Sequence, residues 1–188
     1  MTRNGQGYRV AALVADGFEQ VELTGPKGAL EGAGATVEIV SLKPGEVQGF
    51  NHFEKGDRFP VSATVDQANP EEYDALLIPG GLHSPDQLRA EEAALDFVRA
   101  FDRDGKPLAV ICHGPWLLVS TGIARGRHLT SYHTIKDDLI NAGAQWEDDA
   151  PVTDGNLVTA RNPNDIPQFN TAMLELFGLG AQSQRKAA

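Results

Sequence analysis

Apolar residues in this chain come in short runs that stop at turn-forming residues, and the runs alternate with stretches of helical character. YRVAALVA, Tyr8 to Ala15, is an uninterrupted apolar run ending at Asp16-Gly17, the pattern of a buried first strand. From Glu19 to about Glu31, EQVELTGPKGALE carries helix formers on both sides of Gly25-Pro26, a pair expected to bend or interrupt the helix. Gly32 and Gly34 read as its stop, and Thr36 to Ser41 as a second strand. Lys43 to Asp66 alternates weakly among glycines, which suggests short antiparallel strands or an excursion from the main sheet. The strand pattern returns at Ala75 to Ile78, breaking at Pro79-Gly80-Gly81, and EEAALDFVRAFDRDG follows as a helix closing at Gly105.

PLAVICHGPWLLVSTG then predicts strand, sharp turn and helix, and TIKDDLINAGA another helix. QWEDDAPVTDGNLVTA predicts two short strands around Asp154-Gly155, and NDIPQFNTAMLELFG a C-terminal helix. Strands alternating with helices imply a mainly parallel sheet covered on both faces. With 188 residues and no repeat, linker or composition break, one domain is expected. The first few residues and the closing GAQSQRKAA read as disordered.

Charge and cysteine use narrow the function. A formal net charge of -10, with no Lys/Arg cluster, argues against nucleic acid as a partner and points to a small molecule or a protein. The N-terminus lacks a signal-peptide core and no apolar run reaches about 18 residues, so a cytoplasmic protein off the membrane is expected. The single cysteine, Cys112, makes an intrachain disulfide impossible. No His/Cys/Asp cluster has zinc spacing, and no GxGxxG follows the first strand, so neither a metal nor a dinucleotide cofactor is expected.

In VICHGPWLL, Cys112 falls between strand and helix. A thiolate there would feel unpaired N–H groups and the positive end of a helix dipole, which lower a thiol pKa. Gly114 permits a tight reversal of the nucleophile-elbow kind, the N–H of His113 would point where an oxyanion forms, and Gly81 offers a second N–H. The bland alternative for Cys112 is a small buried hydrophobe. His113 reads equally as base, orienter or interfacial residue, because neighbours at a helix start point about 100° apart. Glu19 follows the first strand and can reach the same sheet edge, where a carboxyl near a thiolate would be pushed toward its protonated form. Its alternative is an ordinary first-turn glutamate; Glu22, one turn on, shares that alternative, and Asp86 reads equally as part of a helix cap.

Taken together, DGFEQVEL, LLIPGG, VICHGP and TSYHTIKDDLINAGA, in this order and spacing from about Tyr8 to Phe177, resemble the PfpI/ThiJ family. That cysteine-dependent superfamily also holds the parkinsonism-associated deglycase. The resemblance implies a flavodoxin-like three-layer α/β sandwich, mainly parallel, and a homodimer or higher homo-oligomer. It assigns a nucleophile at Cys112, its neighbour His113, a carboxyl partner at Glu19 and oxyanion N–H groups at Gly81 and His113. In the peptidase-like branch a glutamate from a neighbouring subunit approaches the histidine; LHSPD is one residue longer and offers Asp86 instead. The implied function is a cofactor-free stress-defence enzyme acting on small aldehydes or early glycation adducts. An intracellular cysteine peptidase and a noncatalytic oxidation sensor are the alternatives. A glutamine amidotransferase also uses an elbow cysteine, but it needs a downstream histidine, and none follows His133.

Overall fold

The computed structural model describes residues 5–180. The two ends read above as disordered lie, apart from Gly180, outside the described residues. The chain opens with β1 (Arg9–Leu13), the two-residue β2 (Phe18–Glu19), α1 (Gln20–Gly32) and β3 (Thr36–Ser41). The excursion follows as the antiparallel hairpin β4 (Glu46–Asn51) and β5 (Glu54–Pro60), then β6 (Ala63–Thr64). Next come β7 (Ala75–Ile78), α2 (His83–Leu88), α3 (Glu92–Arg103), β8 (Leu108–Ile111) and α4 (Trp116–Thr121). The last third holds β9 (His128–Leu129), α5 (Lys136–Asn141), β10 (Gln145–Trp146), β11 (Val152–Asp154), β12 (Leu157–Ala160) and α6 (Ile166–Leu176).

The main sheet has the order β11-β12-β8-β7-β1-β3-β6 and is parallel except for β11. Successive strand side chains point to opposite faces, so each apolar strand feeds two cores. Val10, Ala12, Leu77 and Ile111 pack with Leu23 and Leu30 of α1 and Phe169 and Met173 of α6. Ala11, Leu13, Ile78 and Val110 pack on the other side with Phe97 and Phe101 of α3, Leu117 of α4 and Leu139 of α5. This is the expected three-layer α/β sandwich of flavodoxin-like form.

Two expectations needed correction. The first helix is not interrupted at Gly25-Pro26: α1 is continuous from Gln20 to Gly32 with Pro26 inside it. An interior proline costs roughly 3 kcal/mol, but full burial of Leu23 and Leu30 contributes about 1.5–3 kcal/mol each and outweighs it. The second correction concerns Glu19, which does not lie inside that helix. It ends β2, which pairs with β4 through Phe18 opposite Gly49 and Glu19 opposite Phe50. Glu19 is thereby turned toward the hairpin.

From β1 the chain moves to β3 on one side, and from β7 to β8 and β12 on the other. These directions part between β1 and β7. At such a switch point the loops beyond the strand ends separate and leave a crevice where ligands bind.

Candidate active site

The loops after β1, β7 and β8 meet at that crevice, over a cavity of about 420 Å³ lined by Cys112, His113, Glu19, Glu22 and Gly81 among others. Cys112 follows β8 directly with φ of 64°; among the described residues His52 is the one other non-glycine in the left-handed region. Such a conformation costs about 1–3 kcal/mol and persists only where the surroundings enforce it. Here Cys112 N–H donates to Ala160 O at 3.0 Å and its carbonyl accepts from Tyr132 N at 2.8 Å. The left-handed turn also interrupts the strand alternation. Cys112 therefore packs with Ile111 on the α1 side of the sheet, instead of following Val110 to the opposite face.

Two glycines make the turn possible. A Cβ at Gly114 would stand 2.8 Å from Val110 Cγ1 and 2.9 Å from both Ile111 O and Ile78 O. At Gly80 it would meet Cys112 Cβ at 2.6 Å and Glu22 Oε2 at 2.7 Å.

The carboxyl beside the sulfur belongs to Glu22, not to Glu19 as the sequence suggested. Glu22 is fully buried; its Oε2 accepts the Gly80 N–H at 2.8 Å and its carboxyl hydrogen-bonds with the Cys112 thiol. Its Oε1 is buried without a hydrogen-bond partner. Burial, above all, pushes Glu22 from the ordinary 4.5 up to about 8, and the bonds to Gly80 and Cys112 only partly oppose it. Glu22 is thus mostly protonated at neutral pH. Glu19, three residues earlier, points its Oε2 at the hairpin tip, accepting from His52 N–H at 3.1 Å with His52 Nδ1 at 3.7 Å.

His113 does face the sulfur: Nδ1 lies 3.2 Å from Cys112 Sγ, and Nε2 lies 3.3 Å from Thr134 Oγ1. Its ring stacks on Tyr132 at 4.7 Å between centroids. Burial first, then the neighbouring His133, lowers its pKa to about 4, so the ring is neutral at physiological pH. The Cys112 thiol moves opposite to expectation. Burial, then the Glu22 carboxyl, raises it well above its usual value, against the N–H groups of Gly81 and His113, which favour the thiolate. The expected help from a helix dipole is weak, because α4 begins only at Trp116 and spans six residues. Cys112 is 6% exposed, and desolvation outweighs the donors.

The backbone N–H groups of Gly81 and His113 are directed at the Cys112 sulfur. Asp86 does not join them within one chain: it is exposed on α2 and lines a separate groove with Leu42, Lys43 and Asp66. Sequence reasoning passed over Glu22's contact with the thiol, and also Thr134, His52 and Phe53. Phe53 is 92% exposed at the hairpin tip and forms part of the cavity mouth together with Leu82. Its exposure is a tertiary property with no local sequence signal. Among the described residues no group of three or more His, Cys, Asp or Glu side chains is placed to hold a metal ion, and no helix is long and apolar enough to cross a membrane.

The profile of the DJ-1/PfpI family matches residues 8–176. A protein of Pyrococcus horikoshii named as a deglycase is 45% identical over 158 residues, which cover 84% of this chain and 92% of that relative. "Putative cysteine protease YraA" of Bacillus subtilis is 41% identical over 168 residues, 89% of this chain and 97% of that relative. A crystal structure of a two-domain protein from Anabaena variabilis, containing DJ-1/ThiJ/PfpI-like and ferritin-like domains, superposes with a TM-score of 0.85 at 32% identity. That similarity covers 96% of this chain and 52% of the Anabaena protein, so the present chain spans about half the length of that structure.

Proposed function

The chain belongs to the DJ-1/PfpI family, and on that premise we propose that it is a cysteine-dependent stress-defence enzyme acting on reactive aldehydes or early glycation adducts. The names deglycase and cysteine protease carried by its relatives support an enzyme of this family. The observation that carries the finer reading is the 3.2 Å contact between Cys112 Sγ and a neutral His113 Nδ1, on a strained turn at the cavity wall.

The chemistry follows from the resting protonation. Because burial keeps Cys112 as a thiol, attack needs a base, and the unprotonated His113 is in hydrogen-bond reach of the sulfur. His113 takes the S–H proton as sulfur forms a C–S bond to the substrate carbonyl carbon. The C=O π pair moves onto oxygen, toward the N–H groups of Gly81 and His113, and that oxygen then takes the proton from the imidazolium to give a hemithioacetal. Protonated Glu22 carries no charge to oppose the passing thiolate. A thiol held protonated at rest favours base-assisted catalysis over an oxidation sensor, whose reactivity rests on a standing thiolate.

The cavity volume of about 420 Å³ lies in the range of sites for whole small organic ligands, more room than a three-carbon aldehyde needs. This favours an adduct still attached to its amine or peptide. A homodimer or larger assembly belongs to the same reading, and Asp86, exposed on α2, is free to face a neighbouring subunit.

The test is turnover of methylglyoxal and of a methylglyoxal-modified lysine peptide by the wild type and by Cys112→Ser. Loss of at least a thousandfold in the variant, with unchanged circular dichroism, is expected, since serine is far less ionisable and less nucleophilic. Equal turnover by both proteins would end the nucleophile reading.

A further inference from the structure

His113 presents its two ring nitrogens to two different groups, Nδ1 to the thiol at 3.2 Å and Nε2 to Thr134 Oγ1 at 3.3 Å. A neutral imidazole carries one N–H and one lone pair, so the partner of one nitrogen decides what the other can do. We propose that the Thr134 hydroxyl accepts a hydrogen bond from Nε2–H of His113 and so fixes the tautomer whose Nδ1 lone pair faces the Cys112 thiol. Thr134 is then the positioning residue of the catalytic base. This rests on the reading of Cys112 as nucleophile and His113 as its base, and assigns what makes that base competent.

The direction of the hydrogen bonds comes from the sulfur. The backbone N–H groups of Gly81 and His113 already donate to it, so the group it has left to give is its S–H, and the ring nitrogen in reach of that proton is Nδ1 at 3.2 Å. Nδ1 then needs a lone pair, and Nε2 must hold the ring proton and give it to the threonine oxygen. The hydroxyl proton of Thr134 completes the row by turning outward, since Thr134 is exposed. From the sulfur to Thr134, every donor in this order meets an acceptor. With the opposite tautomer, Nδ1–H and S–H would oppose each other across 3.2 Å.

The arrangement also suits the proton transfer. When Nδ1 takes the S–H proton, the ring becomes imidazolium with an N–H on each side. Thr134 accepts from Nε2–H before and after, so no hydroxyl has to rotate during the step. Donation from Thr134 to Nε2 would instead leave no vacancy at Nδ1, and the base would be blocked.

The experiment is long-range ¹H–¹⁵N correlation of the histidine rings in the reduced full-length protein, with His113 identified by its absence in His113→Gln. It is paired with kinetics on the modified peptide for Thr134→Val and Thr134→Ser. The wild type is expected to show the Nε2–H tautomer. Thr134→Val should shift it toward Nδ1–H and lower kcat about tenfold with KM unchanged, the rate equivalent of one neutral hydrogen bond. Thr134→Ser should recover both tautomer and kcat. An Nδ1–H tautomer in the wild type overturns the proposal whatever the variants do. So does a Thr134→Val protein with unchanged tautomer, even if its kcat falls. The ring spectra are read without substrate, so their failure leaves the Cys112→Ser test of the nucleophile standing by itself.

Discussion

Replacing Glu22 with glutamine tests the claim that a carboxyl is held protonated beside the thiol. Glutamine keeps the shape and an oxygen for the Gly80 N–H, and removes only the ionisation. The folded carboxyl titrates near 8 against 4.5 for an ordinary one, with burial as the leading cause. Between those values the folded state holds a proton that the unfolded chain has lost, so the unfolding free energy falls as pH rises. Stability from this group is fully present below 4.5, is lost progressively on the way to about 8, and is level above. The window spans about 3.5 pH units at about 1.4 kcal/mol each, roughly 5 kcal/mol in all. About 4 kcal/mol of that falls between pH 5 and 8.5, a large part of an ordinary domain stability of about 5–15 kcal/mol. Urea unfolding followed by circular dichroism at half-unit pH steps gives the wild type and Glu22→Gln side by side, and groups common to both cancel in the difference. The variant should gain on the wild type steadily with pH by roughly 4 kcal/mol over that range. A difference that varied by less than about 1 kcal/mol would mean Glu22 titrates normally, and the uncharged carboxyl beside the thiol would be lost from the mechanism.

Two further outcomes follow from the same site. Because burial lowers His113 to about 4, its lone pair survives well into acid, and the acidic limb of kcat/KM should fall near pH 4, with none at the ordinary 6.5; a limb at 6.5 would show that the ring is not the buried base. Gly80→Ala would press a methyl group to 2.6 Å from Cys112 Cβ and 2.7 Å from Glu22 Oε2, so it should lower the unfolding free energy by about 1–3 kcal/mol and remove peptide turnover, whereas full activity would show that the turn has slack.

Much of the architecture was legible locally. The runs at Thr36–Ser41 and Ala75–Ile78 appear as strands at those bounds, and the weak alternation of Lys43 to Asp66 became the β4–β5 hairpin and β6. Apolar periodicity and turn residues act over a few positions, so a sequence displays them directly. The Cys-His-Gly-Pro turn was legible for the same reason, since glycine is needed wherever the backbone reverses against its neighbours.

Only the tertiary structure decided which carboxyl meets the sulfur. The sequence favoured Glu19 over Glu22, three residues on, but pairing of β2 with a hairpin more than thirty residues away turns Glu19 toward His52 and leaves Glu22 inside. The ionisation of the site was equally out of reach. Local reasoning saw a helix start and expected a lowered thiol pKa, whereas desolvation, summed over every element that covers Cys112, sets the direction. The Thr134 contact likewise joins residues 21 positions apart through the fold of the chain between them. Periodicity carries information about neighbours in sequence; burial, charge and hydrogen-bond partners belong to neighbours in space, and those exist only once the layers have packed.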